Sequence, residues 1–297
     1  MNDKSRNLRL LIVTDDADNG GTAHVARQLA LGLRHSFRVE FACRCDERNA
    51  GFVAPMIECG IKVHHFNASV RNLSRSTYAF HDAAKLVDQA APSMLLCVDA
   101  GQIASLLALK SVARRCGIPY LVVSCGVHPN CLKQFAPFLD EAIAGLEGAG
   151  AIVFLSHSSR REFQSQLPDI RTPQFVVPYS CPDEYFQPRQ QAIRTDLRAI
   201  LGVADEELLC FTAARIEPEK GQMLLLKALK LLKDQNKIAG IRVALAGRSN
   251  DAYLNRFKTE VERLGLSELV LILGERHDIP ALLDASDLCV LPSYVEG

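Results

Sequence analysis

The sequence predicts an α/β protein made of two doubly wound parallel sheets, and three observations carry that prediction. Short apolar runs without polar alternation, such as 94–99 and 208–211, read as strands buried on both faces. Segments of helical period separate them, so strand, turn and helix repeat along the chain, as expected when helices cover both faces of a parallel sheet. Prolines at 173, 178, 182 and 188, among polar residues up to Gln191, mark a junction and give domains 1–188 and 189–297.

Taken in order, residues 8–15 (L-R-L-L-I-V-T-D) form the first strand. Gly20 and Gly21 then open a helix with the apolar face Ala23, Ala26, Ala30 and Leu33. Strands follow at 38–43, 61–66 and 94–99, the last preceded by a helix over 74–90. A helix over 102–115 leads through Gly117 and Pro119 to a strand at 120–124. A helix over 193–201 enters the second domain, whose strands are 208–211, 241–246, 269–273 and 288–291. Its helices are 222–234, 253–264 and 279–283. In such sheets ligands bind outside the carboxyl ends of the strands, which directs attention to Asp15, Asp99 and the stretch from Cys125 to His128.

Composition narrows the classes. The 297 residues are 48% hydrophobic and 23% charged, with 34 Lys and Arg against 34 Asp and Glu, an ordinary globular balance that argues against a nucleic-acid partner. No stretch approaches the roughly 18 apolar residues that span a bilayer. The first ten residues lack the apolar core of a signal peptide, so the expected compartment is the cytoplasm. Of the ten cysteines, Cys43, Cys97, Cys125, Cys210 and Cys289 fall in or beside strands read as buried, where a free thiol packs as a small apolar group. Cys43 and Cys45 make a poor metal pair without partners, and there is no C-x-x-C.

The segment 208–226 carries the sharpest chemistry. A strand ends at Arg215, Pro218 and Gly221 punctuate the turn, and Met223, Leu226, Leu229 and Leu232 recur at helical spacing. Arg215 and Lys220 thus sit beside a helix N-terminus whose free N–H groups also favour an anion, an arrangement suited to a diphosphate. Gly247 and Arg248 lie at another strand end. The G-x-G-x-x-G and Walker A patterns are absent, which counts against dinucleotide and ATP sites. Asp16-Ala17-Asp18 spells D-x-D but lies in a loop after the first strand, where Asp is common.

These residues resemble the glycosyltransferases of family 4 (group 1), which have the GT-B fold. A-R-I-E-P-E-K-G at 214–221 is similar to the family's A/G-R-L-x-x-x-K-G signature. The run 270–297, V-L-I-L-G-E-R-H-D-I-P-A-L-L-D-A-S-D-L-C-V-L-P-S-Y-V-E-G, matches the family's long motif almost residue for residue. Residues 151–160 and 175–188 resemble two further segments, with Tyr179 and Ser180 where Asn-Gly is usual.

The resemblance implies two Rossmann-like domains facing a cleft and a metal-independent transfer, with retention, from a nucleotide-diphosphate-sugar donor. It gives no cofactor and no metal. Arg215 and Lys220 would grip the diphosphate, Glu296 would act at the donor sugar, and Gly247, Glu219 and Gly297 would lie on the donor side. Gly20, Gly21, Cys125 and Gly126 would line the sugar and acceptor loops. Cys125 stands where the family's T-x-H-G has its histidine, and His128 is the candidate substitute. The acceptor would be a sugar, a lipid-linked compound or a small molecule, which leaves room for peripheral membrane contact. The second carboxylate of E-x(7)-E would fall past Gly297, so an incomplete second domain is expected, its strand 288–291 left at an edge. A GT-B epimerase or phosphorylase, and a degenerate sugar-nucleotide-binding protein, remain the alternatives.

Overall fold

In a computed structural model of the chain, the described residues are 8–16, 20–45, 50–66, 80–100, 103–125, 132, 136–181, 183–187 and 190–294. They divide into two compact units, one within 1–180 and the other within 181–296, a division inside the proline-marked stretch.

The first unit holds β1 (Arg9–Thr14), β2 (Arg38–Cys43), β3 (Lys62–His65), β4 (Met94–Asp99), β5 (Tyr120–Ser124), β6 (Ala151–Phe154) and β7 (Gln174–Val176). Among the described residues they form one parallel sheet in the order β3-β2-β1-β4-β5-β6-β7. Successive residues of one strand feed different cores because a strand turns alternate side chains to opposite faces. Leu11 and Val13 pack with helices Phe80–Ala90, Leu107–Arg115 and Leu139–Glu147. Leu10 and Ile12 pack on the other face with helices Gly21–Leu33 and Ala50–Glu58.

The second unit repeats the scheme with β8 (Leu208–Ala213), β9 (Ile241–Ala246), β10 (Val270–Gly274) and β11 (Leu288–Cys289), parallel and ordered β10-β9-β8-β11. Cys210, Val243 and Leu245 pack with Leu226, Leu229 and Phe257, while Leu209, Phe211 and Ala244 pack with Leu197 and Leu282. The strand expected over 288–291 pairs only at Leu288 and Cys289. Both are exposed, so Cys289 is not a core thiol as its apolar neighbours suggested.

Two arginines fasten the edge of this sheet. Arg198, 1% exposed, donates from Nη1 to the Ala285 carbonyl and Asp287 Oδ2, both at 3.1 Å. Its Nη2 donates to the carbonyls of Ala204 at 2.6 Å and Glu207 at 2.5 Å. Arg194 donates to the carbonyls of Asp284, Ala285 and Ser286, which close the helix Ile279–Ala285. Asp287 Oδ2 also accepts the Leu209 amide at 2.8 Å. Partial burial works against the charge of Asp287, but the Leu209 amide and both guanidiniums outweigh it and hold the carboxyl below its ordinary range. Helix, strand β8 and the start of β11 are thereby fixed to one another.

Candidate functional site

At the carboxyl end of β8 the backbone 214–216 is locked from several sides. The Ala214 amide donates to the Ala246 carbonyl at 3.0 Å and the Ile216 amide to the Arg248 carbonyl at 2.8 Å. Ser249 Oγ donates to the Ile216 carbonyl at 2.7 Å. Gln222, fully buried, donates from Nε2 to the Arg215 carbonyl at 2.7 Å. A β-carbon at Gly247 would stand 2.0 Å from the Ala214 carbonyl oxygen, so only glycine lets β9 pass this close to the loop. The backbone of Arg215 is therefore rigid before any ligand arrives.

Its side chain is not committed. Arg215 is paired with Glu217 at 2.7 Å, with side-chain exposures of 39% and 21%. Arg248 is paired with Glu275 at 3.3 Å, at 38% and 50%. Pairs this solvated contribute about 0–1 kcal/mol. Both guanidiniums can exchange a carboxylate for a phosphate at little loss, and a planar guanidinium binds phosphate oxygens in pairs.

Pro218–Lys220 form a single 3₁₀ turn, and Gly221, at φ 68°, starts the helix Gln222–Asp234. A β-carbon on Gly221 would meet the Pro292 carbonyl oxygen at 2.0 Å, the Tyr294 amide donates to the Glu219 carbonyl at 2.9 Å, and Thr212 Oγ1 donates to the Val290 carbonyl at 2.8 Å. The segment after β11 thus runs against the Lys220 turn. Arg215, Glu219, Lys220, Gly247 and the residues leading toward Glu296 meet at one edge of the sheet. Glu296 and Gly297 themselves lie outside the described residues, as do Gly126 and His128.

The corresponding edge of the first unit is polar and buried. Asp15 accepts the Ser105 hydroxyl at 2.6 Å and the Ala100 amide at 3.2 Å. Lys110, 1% exposed, donates to Asp99 Oδ2 at 2.5 Å and to the Ser105 carbonyl at 2.8 Å. Loss of water pushes Asp15 up to about 6 and Asp99 up to about 7, with Lys110 opposing both. The Cys125 thiol is pushed up to about 12, chiefly by burial, and bonds Thr22. Gly20 caps the helix Gly21–Leu33, but Asp16 Oδ2 already accepts the Ala23 amide at 3.2 Å in that helix's first turn.

These carboxyls set a pH dependence. Both are raised above their unfolded values, so the folded unit binds the extra protons, and the stability they supply is complete below about pH 4 and lost as pH rises through 6 to 7. In urea unfolding followed from pH 4.5 to 8, Asp99→Asn is expected to gain on the wild type as pH rises. A difference between the two that stays constant with pH would contradict this origin.

Arg215, Lys220, Gly247, Asp15 and Asp99 lie at or just past strand ends, as expected from the sequence. The contacts of Gln222, Ser249, Asp16 and Lys110 were not anticipated. Lys110 left a signal, because it lies on the same helical stripe as Leu106 and Ala113 and so faces the core.

Residues 193–297 match the family "Glycosyl transferases group 1". Over 126 residues the chain is 32% identical to the UDP-Gal:alpha-D-GlcNAc-diphosphoundecaprenol alpha-1,3-galactosyltransferase of Escherichia coli, covering 41% of this chain and 31% of that protein. Over 121 residues it is 31% identical to the D-inositol 3-phosphate glycosyltransferase of Mycobacterium ulcerans, covering 38% and 24%. The matches therefore span less than a third of these relatives' length. Among solved structures, Anabaena HepE in complex with UDP and glucose superposes with a TM-score of 0.79 at 19% identity, covering 97% of this chain and 75% of that one. WaaG, a glycosyltransferase involved in lipopolysaccharide biosynthesis, gives 0.69 at 13% identity with the same coverage. The fold is that of the GT-B glycosyltransferases.

Proposed function

We propose that the chain acts in sugar transfer from a nucleotide-diphosphate-sugar donor to a hydroxyl acceptor, without a metal and with retention at the anomeric carbon. The observation that carries this reading is the rigid Arg215 loop, whose cation stands at a strand end beside a helix N-terminus and the Lys220 turn. Arg215 and Lys220 hold the diphosphate in this reading. As the bond from the anomeric carbon to the diphosphate breaks, its electron pair leaves with the diphosphate, and the fixed cations stabilise that charge. Glu296 acts at the donor sugar, and Gly247 gives the loop its place. The first unit, with Gly20, Gly21, Cys125, Gly126 and His128, serves the acceptor. The HepE complexes with UDP and UDP-glucose support a uridine donor as the first to try.

Calorimetric titration with UDP, GDP and ADP tests the reading and supplies the base preference. Saturable binding of at least one supports it, and binding of none overturns it. In a chain that turns over, Glu296→Gln is expected to lower turnover by about 10²-fold with donor affinity little changed. Turnover within a factor of about three of the wild type would make Glu296 structural.

A second reading, a sugar-nucleotide-binding protein without catalysis, is favoured by Cys125. At a pKa of about 12 its thiol is neutral at pH 7 and does not exchange a proton there as a histidine would. Nucleotide binding with no sugar released or transferred would select this reading.

A further inference from the structure

One pair of side chains plays no part in the site described above. β2 ends at Cys43, and Cys45 Sγ lies 3.7 Å from Cys43 Sγ. Cys43 is 2% exposed and packs with Phe52, Val53 and Met56, whereas Cys45 is half-buried. Cys45 is held in this position. His65 Nδ1 lies 2.9 Å from the Cys45 carbonyl oxygen and 3.1 Å from its amide nitrogen, and Cys45 Sγ contacts the carbonyls of Cys43 at 3.6 Å and His64 at 3.7 Å. A disulfide needs the sulfurs to close by about 1.7 Å, a movement within reach of side-chain rotation at a strand end. Among the described residues no cluster of three His, Cys, Asp or Glu side chains could hold a metal.

We propose that Cys43 and Cys45 form a dithiol site oxidised to an intramolecular disulfide by a small-molecule disulfide such as oxidised glutathione. The more accessible Cys45 thiolate attacks one glutathione sulfur and expels the first glutathione as its thiolate. Cys43 then loses its proton to solvent, attacks Cys45 Sγ and expels the second. Two protein thiols are oxidised and one glutathione disulfide is reduced to two thiols, so electrons balance. Burial and, above all, the hydrogen bond between the two cysteines raise the Cys43 thiol. That hydrogen bond lapses once the Cys45 sulfur is capped, leaving burial alone to slow the second step. The bond would tie the last residue of β2 to the loop that follows, at the same sheet edge as Asp15.

The sequence makes the test direct, since Arg44 separates the two cysteines and Arg38 and Arg48 flank them. The full chain is incubated with oxidised glutathione, alkylated with iodoacetamide, unfolded and digested with trypsin without reductant. The expected product is peptide 39–44 joined to peptide 45–48, or an uncleaved 39–48 lacking two hydrogens. In Cys43→Ser the resolving thiol is gone, and glutathione is expected to accumulate on Cys45. Alkylation of both cysteines in the wild type would overturn the proposal. So would glutathione retained on wild-type Cys45, or its cross-linking to any other cysteine.

Discussion

Gly247→Ala is expected to lower the stability of the second unit by about 3 kcal/mol and to remove measurable nucleoside-diphosphate binding. The added β-carbon would sit 2.0 Å from the Ala214 carbonyl oxygen, 2.5 Å from its carbon and 3.0 Å from the Arg215 nitrogen. These are backbone atoms with no rotamer to yield. β9 cannot retreat freely either, because the Gly247 amide donates to the Gly274 carbonyl at 2.7 Å. Relief must come from displacing the Arg215 backbone, and a displacement of about 1 Å is enough to spoil paired hydrogen bonds to phosphate. Urea unfolding and calorimetry with UDP measure the two effects. An alanine variant with wild-type stability and affinity would show that the close approach of the loop is dispensable.

Arg198→Leu is expected to destabilise the same unit by about 3 kcal/mol, the scale for leaving buried acceptors without their charged donor. Leucine fills the space of the aliphatic stem but leaves the carbonyls of Ala204, Glu207 and Ala285, and one oxygen of Asp287, without this donor. Exposed Arg263, paired with Glu260 at 2.7 Å on the surface of a helix, serves as the control, since Arg263→Leu should leave stability close to that of the wild type. Equal effects from the two substitutions would mean that burial of Arg198 does not set its contribution.

Both positions bear on what was legible in the sequence. The strands were visible where apolar runs are continuous, as in β1, β4, β8 and β9, because burial on both faces removes the need for polar alternation. Arg215 was visible because a strand, a turn and a helical stripe follow one another there. Helix Ala50–Glu58 was hidden by Pro55 inside it and Gly51 near its start, two residues that ordinarily argue against a helix. The helix expected from residue 102 begins at Leu107, since Leu106 takes a left-handed conformation at φ 51°. Cys289 was misread as a core thiol because an apolar run reports its own composition and not what lies beside it, although an edge position was expected for its strand. Gln222 was passed over because a glutamine in a first helical turn usually faces water. Its burial follows from the Arg215 carbonyl it serves, a tertiary partner that no local pattern announces.

Calorimetry of wild type and Arg215→Ala with the best-bound nucleoside diphosphate tests most directly whether Arg215 binds a diphosphate. A charge-assisted hydrogen bond to phosphate predicts a loss of about 1.5–3 kcal/mol, roughly 10- to 150-fold in Kd. The loss should come with unchanged unfolding behaviour, because the Arg215 side chain is partly solvated and pairs only weakly with Glu217. Equal binding by the two proteins would contradict the assignment and move the diphosphate away from the carboxyl end of β8.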